Sequence, residues 1–337
     1  MTPQFQPCLV NGPFDDPGVY VDFLYERRAL LFDLGDVRAL SPRKILRISH
    51  IFISHTHIDH FIGFDHLLRL CLGREKRLHL YGPAGFTAQV EHRLASFTWN
   101  LVASYPTDFT VIAVELHPDG RSISAEFHCR SGFRREQERT EQLVGGILLD
   151  EETFRIRTAF LDHRTVSLAF ALEEKRHVNI MKNRLLELGL PTGPWLAELK
   201  RAIVRGEADD TPFRVWWQGA TGVVERRFPL GELQEKILHI VPGQKIAYVT
   251  DAAYTTANAE KIVTLAGDAD YLFIEATFLH AERERAVERG HLTAHQAGLL
   301  ARQAGVSRVT PSHFSPRYQG KEELLREELA RAFFGEV

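Results

Sequence analysis

The stretch "SHTHIDHFIGFDH", residues 54–66, gathers His55, His57, Asp59, His60 and His66. Neutral imidazole is the commonest nitrogen ligand for zinc and carboxylates complete such sites, so H-x-H-x-D-H carries metal chemistry at high density. It follows "HIFIS" (50–54), an apolar run that reads as a short buried strand, and leads into "FIGFDHLLRLCL" (61–72), whose apolar residues recur at helical spacing. If the chain leaves the strand extended, His55 and His57 point the same way and chelate one ion, because strand side chains alternate with period two. Asp59 and His60 fall where the chain turns into the helix, placed for a second ion close by. His66 is six residues past His60 on a different helical face and stays outside the set. The isolated His50, His79, His92, His117, His128, His177, His239, His280 and His295 read as core or surface imidazoles.

Such a loop needs strands to aim it. "VYVDFL" (19–24) and "ALLFDL" (29–34) flank a polar turn and predict a β-hairpin. "LHLYGP" (78–83) predicts a strand before a helix over 84–97, and further strands are expected at 111–116, 122–129, 145–149 and 154–160. Later, "KIAYVTDA" (245–252), "YLFIEATF" (271–278) and "RVTPSHF" (308–314) alternate with helical patterns at 255–266, 293–304 and 321–333. Two strand-rich halves, each supplied with helices, imply an α/β fold with two sheets face to face and helices outside. Between the halves, residues 179–207 predict a helix, a Gly-Pro turn and a second helix with a basic face, an excursion from a single domain over 1–337.

With 337 residues, 44% hydrophobic and 25% charged, the chain has the composition of a globular protein with a substantial core. No run approaches the roughly 18 apolar residues of a membrane span, and the start lacks a signal-peptide pattern, so a cytoplasmic protein with no membrane partner is expected. Cys8, Cys71 and Cys129 are widely spaced without a C-x-x-C pair, which suits reduced thiols. A net charge of −3 gives no global attraction to nucleic acid, leaving local clusters such as "RSGFRREQER" (130–139) and "KRAIVR" (200–205).

The loop "SHTHIDHFIG", with "FLDHRTVSLAFALEE" (160–174), "AYVTDAAY" (247–254), "FIEATF" (273–278), "GHLTAHQAG" (290–298) and "SHFSPRY" (312–318), resembles the ribonuclease Z family of transfer-RNA 3′-end endonucleases in the metallo-β-lactamase superfamily. The resemblance runs over most of the chain and implies a four-layer αββα sandwich with an inserted arm. It implies two zinc ions per chain, with manganese as the alternative. His55, His57 and His163 would hold one, Asp59, His60 and His313 the other, and Asp251 would bridge both. Asp59 would also orient the attacking water, and His291 held by Glu275 would protonate the leaving ribose oxygen. Arg317, one turn past His313, is a candidate for a phosphate contact or, equally, for a structural ion pair.

The excursion at 179–207 is similar to the family's arm, with Gly193-Pro194 matching its turn and Lys182, Arg184, Lys200, Arg201 and Arg205 supplying charge for phosphates. By resemblance the substrate is RNA, namely precursor tRNA, and the enzyme a homodimer. The chain departs from the family pattern in "NGPFDDPGVYVDF", where Asp15 and Asp16 stand in place of cations, and at Ile274, where a histidine is usual. These departures leave open a hydrolase of a small phosphodiester, sulfate ester or lactone, and a non-catalytic metal-binding protein.

Overall fold

The computed structural model describes residues 4–175, 177–219 and 222–335. Its first elements are β1 (Phe5–Leu9), β2 (Val19–Phe23), β3 (Ala29–Phe32), α1 (Pro42–Arg47), β4 (Ile48–Phe52), α2 (Ile58–Phe61), α3 (Phe64–Cys71), β5 (Lys76–Pro83), α4 (Phe86–Ala95), β6 (Phe109–Leu116), β7 (Arg121–His128) and β8 (Arg135–Gln142). After β9 (Ile147–Asp150), β10 (Phe154–Asp162) and β11 (Val166–Glu174) come β12 (His177–Ile180), α5 (Lys182–Glu187), α6 (Trp195–Arg205), β13 (Pro212–Gly219), β14 (Gly222–Pro229), α7 (Leu230–Ile237) and β15 (Leu238–Val241). The last are β16 (Lys245–Val249), α8 (Thr256–Ala266), β17 (Tyr271–Glu275), α9 (Arg283–Arg289), α10 (Ala294–Gln303), β18 (Val309–Ser312) and α11 (Glu322–Phe334).

Among the described residues, β1 to β8 form one sheet in sequence order, parallel from β3 to β6 and antiparallel at both ends. A second sheet has the order β18-β17-β16-β11-β10-β9, with β16, β17 and β18 parallel. Aromatic residues join the inner faces: Phe32 and Phe52 of the first sheet pack on Phe170 and Tyr248 of the second, with ring centroids 5.6–5.8 Å apart. On the first sheet's outer face, Phe64, Leu67 and Leu68 of α3 and Phe86, Val90 and Leu94 of α4 bury a helical stripe. On the second, α8, α10 and α11 do the same around Ile262, Leu300 and Leu329. These are the four αββα layers expected.

The described chain divides into two compact units, one within Met1–Leu148, Arg157–Ala171 and Lys245–Val337, the other within Leu149–Ile156 and Leu172–Gln244. The arm expected over 179–207 is found as α5 and α6 inside the smaller one. Its larger extent has a physical reason: the stripe Trp195, Leu199, Ala202 and Ile203 on α6 needs partners, and Val215, Leu230, Leu233 and Ile237 from β13 and α7 supply them. The second half of the charged run at 130–139 becomes the start of β8, an edge strand whose exposed charges keep an open edge from pairing with another chain. The helix expected over 61–72 is interrupted between α2 and α3.

The outer layer is tightly seated. A Cβ on Gly298 of α10 would lie 2.3 Å from the Leu329 carbonyl oxygen and 2.8 Å from the Ala332 Cβ on α11. Gly298→Ala must push these helices apart and should destabilise the fold by about 1–3 kcal/mol, read as a lower urea midpoint at unchanged slope. An unchanged midpoint would mean the two helices can separate freely.

Candidate metal centre

The ends of secondary elements in the larger unit supply every candidate donor. His55 follows β4, His57 is the N-cap of α2, and Asp59 and His60 lie within that helix. His163 sits in the turn between β10 and β11, Asp251 two residues past β16, Glu275 at the end of β17, His313 just past β18, and His291 between α9 and α10. Because β16, β17 and β18 are parallel, their C-terminal ends share one sheet edge, which brings Asp251, Glu275 and His313 together. Asp33, Asp251 and His313 have φ of 56°, 46° and 56°, left-handed conformations that cost non-glycine residues energy and mark positions the surroundings over-determine.

The interruption after α2 serves the same end. A Cβ on Gly63 would lie 2.1 Å from the Gly35 oxygen, so glycine lets the joint close onto the turn after β3. There Gly63 N donates to Leu34 O and Leu34 N donates to His60 O, both at 3.0 Å, which fixes the helical turn carrying His60.

Asp251 is the hub. Its Oδ2 lies 3.3 Å from His55 Nε2, 3.2 Å from His60 Nε2 and 3.5 Å from His163 Nε2, and its Oδ1 lies 3.3 Å from His313 Nδ1. Asp59 Oδ2 lies 3.3 Å from both His60 Nε2 and His313 Nε2. The donor atoms of His55, His57, His163 and Asp251 fall within 4.8 Å of one another, as do those of Asp59, His60 and His313, and those of Asp251, Glu275, His291 and His313. The seven metal-ligating residues expected from the sequence are thus brought together.

The donors fit a cation. His55 Nε2 and His60 Nε2 are buried and make no hydrogen bond, although both lie close to the Asp251 carboxylate. Two orphaned imidazole nitrogens would each cost about 1–3 kcal/mol, which a shared cation offsets. Nitrogen and carboxylate donors suit zinc, and manganese as well. Burial opposes ionisation of Asp251, yet His313, His60 and His55 hold its carboxyl well below the usual range. Burial likewise opposes charge on Asp59, and hydrogen bonds from His313 and His60 outweigh it. Burial works against a proton on His60, but Asp33 and Asp251 draw one there, and the same field favours a divalent cation in its place.

Sequence reasoning missed the residue that aims His60. Asp33 is fully buried and accepts from Ser54 N at 2.6 Å, Ser54 Oγ at 2.8 Å, Tyr248 OH at 2.7 Å and His60 Nδ1 at 2.7 Å. Holding the Nδ1 proton leaves Nε2 facing the cluster. The available signal was a lone aspartate at the end of the apolar run "ALLFD", just before Leu34-Gly35. His163 is held similarly, its Nδ1 donating to Gly290 O at 2.7 Å. Asn258 was also missed; its side chain bonds both Asp162 N and Asp162 O and steadies that turn.

Beside the cluster, His291 Nδ1 lies 2.9 Å from Glu275 Oε2 and 3.7 Å from Asp251 Oδ1. Burial alone would lower the pKa of His291, but the Glu275 carboxylate and then Asp251 push it up to about 9. Arg317 ion-pairs with Glu282, the structural pairing that stood as the alternative to a phosphate contact. Gly193, Pro194, Lys200, Arg201 and Arg205 lie in the smaller unit. A Cβ on Gly193 would lie 3.0 Å from the Trp195 ring, and Trp195 Nε1 donates to Pro191 O, so the Gly-Pro turn closes over that indole. Lys200 is half-buried, and burial lowers its pKa against the pull of Glu174. Arg205 pairs with Glu207 and Glu152. Arg201 is exposed and has no ion pair among the described residues.

The sequence profile of the beta-lactamase superfamily domain matches residues 27–156 and 237–314. A ribonuclease Z from Limosilactobacillus fermentum is 30% identical over 309 residues, covering 88% of this chain and 81% of that protein. The chain belongs to the ribonuclease Z family of the beta-lactamase superfamily. Another ribonuclease Z, from Deinococcus radiodurans, is 27% identical over 310 residues, 90% of this chain and 88% of that one. In fold, the chain is similar to human tRNase Z, short form, with a TM-score of 0.51 at 20% identity over 93% of each chain. It is equally similar to the metallo-beta-lactamase fold protein YhfI from Bacillus subtilis, at TM-score 0.52 and 15% identity over 97% of this chain and 94% of that one. The superfamily match skips 157–236, so within the ribonuclease Z family it leaves out His163 and most of the smaller unit.

If Asp33 sets the His60 tautomer, Asp33→Asn should weaken metal binding by about 10- to 100-fold in a chelator competition, with the far-ultraviolet circular dichroism unchanged. Wild-type affinity in the folded variant would remove Asp33 from that role.

Proposed function

We propose that this protein is a metal-dependent endoribonuclease that cuts the 3′ trailer from precursor tRNA. The observation that carries it is a cluster of metal donors hinged on Asp251 with a carboxylate-held imidazole, His291–Glu275, at its side, in a chain of the ribonuclease Z family. His55, His57 and His163 would hold one divalent cation, Asp59, His60 and His313 a second, and Asp251 both, with zinc the preferred ion. Such a pair supplies Lewis acidity at the phosphodiester and a nucleophile active at neutral pH.

The chain's own residues do the rest. The outward oxygen of Asp59 accepts a hydrogen bond from the attacking water and orients it. Glu275 accepts the Nδ1 proton of His291, so the imidazole presents Nε2 to the leaving ribose oxygen and gives it a proton. In the smaller unit, Arg201 is the cation best placed for RNA phosphate, with Lys200, Arg205 and the Gly193-Pro194 turn in supporting roles. Arg317 would reach phosphate only by giving up Glu282. We further propose a cytoplasmic homodimer; no described helix is long and apolar enough to cross a membrane.

A small-ester hydrolase is the second reading, favoured by Asp16. It stands with Asp15 in the N-terminal loop where cations would serve a polyanion, and its pKa is raised by burial and by its acidic neighbours Asp59 and Asp36. Precursor tRNA and bis(p-nitrophenyl) phosphate separate the two readings. Trailer removal supports the first, cleavage of the small ester alone the second, and cleavage of neither by metal-loaded protein rejects both.

His291→Ala should lower turnover on RNA by about 10²–10⁴ while sparing the aryl ester, whose leaving group needs no proton. Equal losses on both would exclude His291 as the acid. Arg201→Ala should reduce the log-log salt slope of precursor binding by about 0.7–0.9, with small-ester hydrolysis intact. An unchanged slope would leave Arg201 as a merely solvated side chain.

A further inference from the structure

Glu275 can serve His291 only if its carboxylate is held in one orientation. The carboxylate is fully buried and accepts at both oxygens, Oε1 from Ala252 N at 2.7 Å and Oε2 from His291 Nδ1 at 2.9 Å. A third donor reaches it. The Thr277 hydroxyl, also buried, lies 2.6 Å from Glu275 Oε2 and 2.9 Å from the His313 carbonyl oxygen. Thr277 O in turn accepts from Ser315 N at 3.1 Å, so residue 277 is tied on both sides to the loop that carries His313.

A hydroxyl has one proton and here two oxygen acceptors, with His313 Nδ1 farther away at 3.5 Å, so it donates to one of them. The contact to Glu275 is the shorter and falls in the 2.5–2.7 Å range of charge-assisted O–H···O⁻ bonds, which assigns the proton to the carboxylate. With Oε1 fixed by a backbone N–H alone, the carboxylate could swing about that bond. The Thr277 hydroxyl, approaching Oε2 from a different element than His291, removes that freedom. An acceptor held in this way keeps the imidazole proton on Nδ1 and leaves Nε2 for the leaving group.

We propose that Thr277 is a positioning residue for proton donation, acting through Glu275 on His291 and not through the metal donors. This rests on the assignment of His291 as the proton donor. Thr277→Val keeps the side chain's shape and removes its hydroxyl, whereas Thr277→Ser restores the hydroxyl without the methyl. Each variant is assayed for metal content, for turnover of precursor tRNA and for turnover of bis(p-nitrophenyl) phosphate.

Thr277→Val should lose roughly 10- to 100-fold on RNA, part of the factor a general acid supplies, with aryl-ester turnover and metal content near wild type and with rescue by Thr277→Ser. Added to His291→Ala, it should cause no further loss on RNA, because the two act as one unit. A purely structural role, holding the His313 loop, predicts instead equal losses on both substrates, reduced metal content and additive effects, and any of these would overturn the proposal. Should Thr277→Val fail to fold, Thr277→Ala is judged by the same substrate pair. If His291→Ala itself shows no substrate difference, the assignment of the acid has failed; if it does and Thr277→Val does not, only the Thr277 proposal has.

Discussion

Burying the ionised carboxylate of Asp251 away from water is costly unless positive charge surrounds it, and four imidazoles approach it within 3.2–3.5 Å. Neutral imidazoles alone cannot repay that cost, so the arrangement suits cations that the rings and the carboxylate could hold together. The four rings come from three chain segments: the histidine stretch after β4 that carries His55 and His60, the β10–β11 turn and the end of β18. Convergence of strand ends is therefore the constraint that the sandwich satisfies. Parallel β16, β17 and β18 deliver three of the key residues to one edge, and β4, parallel to β3 and β5, delivers the histidine loop from the other sheet.

Bringing rings near a point is not enough, because an imidazole can turn its wrong nitrogen inward. His60 and His163 each spend one nitrogen on a fixed acceptor, Asp33 Oδ2 and Gly290 O respectively, and offer the other to the cluster. The acceptors are themselves tethered. Asp33 collects donors from Ser54 and from Tyr248, whose ring stacks on Phe32 between the sheets, so the apolar core and the polar centre share a residue. Left-handed backbone at Asp33, Asp251 and His313 is the local cost of aiming these side chains, offset by the bonds they make.

How much of this could be read from the sequence depended on whether a feature was local. His55, His57, Asp59 and His60 share a single loop, so their spacing alone announced a metal site. His163, Asp251, Glu275, His291 and His313 are scattered through the second half of the chain and came only through resemblance, since no periodicity joins residues that meet at strand ends. Asp33 escaped because a single acid closing an apolar run looks like a strand's edge. Most strands and outer helices of the sandwich were legible from their apolar patterns, but β1, β8 and β11 were not read as strands, β8 because its sequence is almost wholly polar. Nor were β13 and β14, because adjacent like residues, Trp216-Trp217 and Val223-Val224, break the period of two that marks a strand.

The smaller unit shows why charge counted along a helix misjudges binding surfaces. On α6 the apolar stripe Trp195, Leu199, Ala202 and Ile203 turns inward, and Lys200, one position from Leu199, is drawn half into the protein with Glu174 nearby. Arg205, at the C-terminal end, lies where a cation favours the helix dipole and where Glu207 and Glu152 neutralise it. A phosphate would have to displace Glu207 and Glu152 to use Arg205. Arg201 sits between Lys200 and Arg205 in sequence, exposed and without an ion pair among the described residues, so it alone of the three offers charge that is not already spent. The core that makes the arm a compact unit thus also decides which of its cations can meet a polyanion.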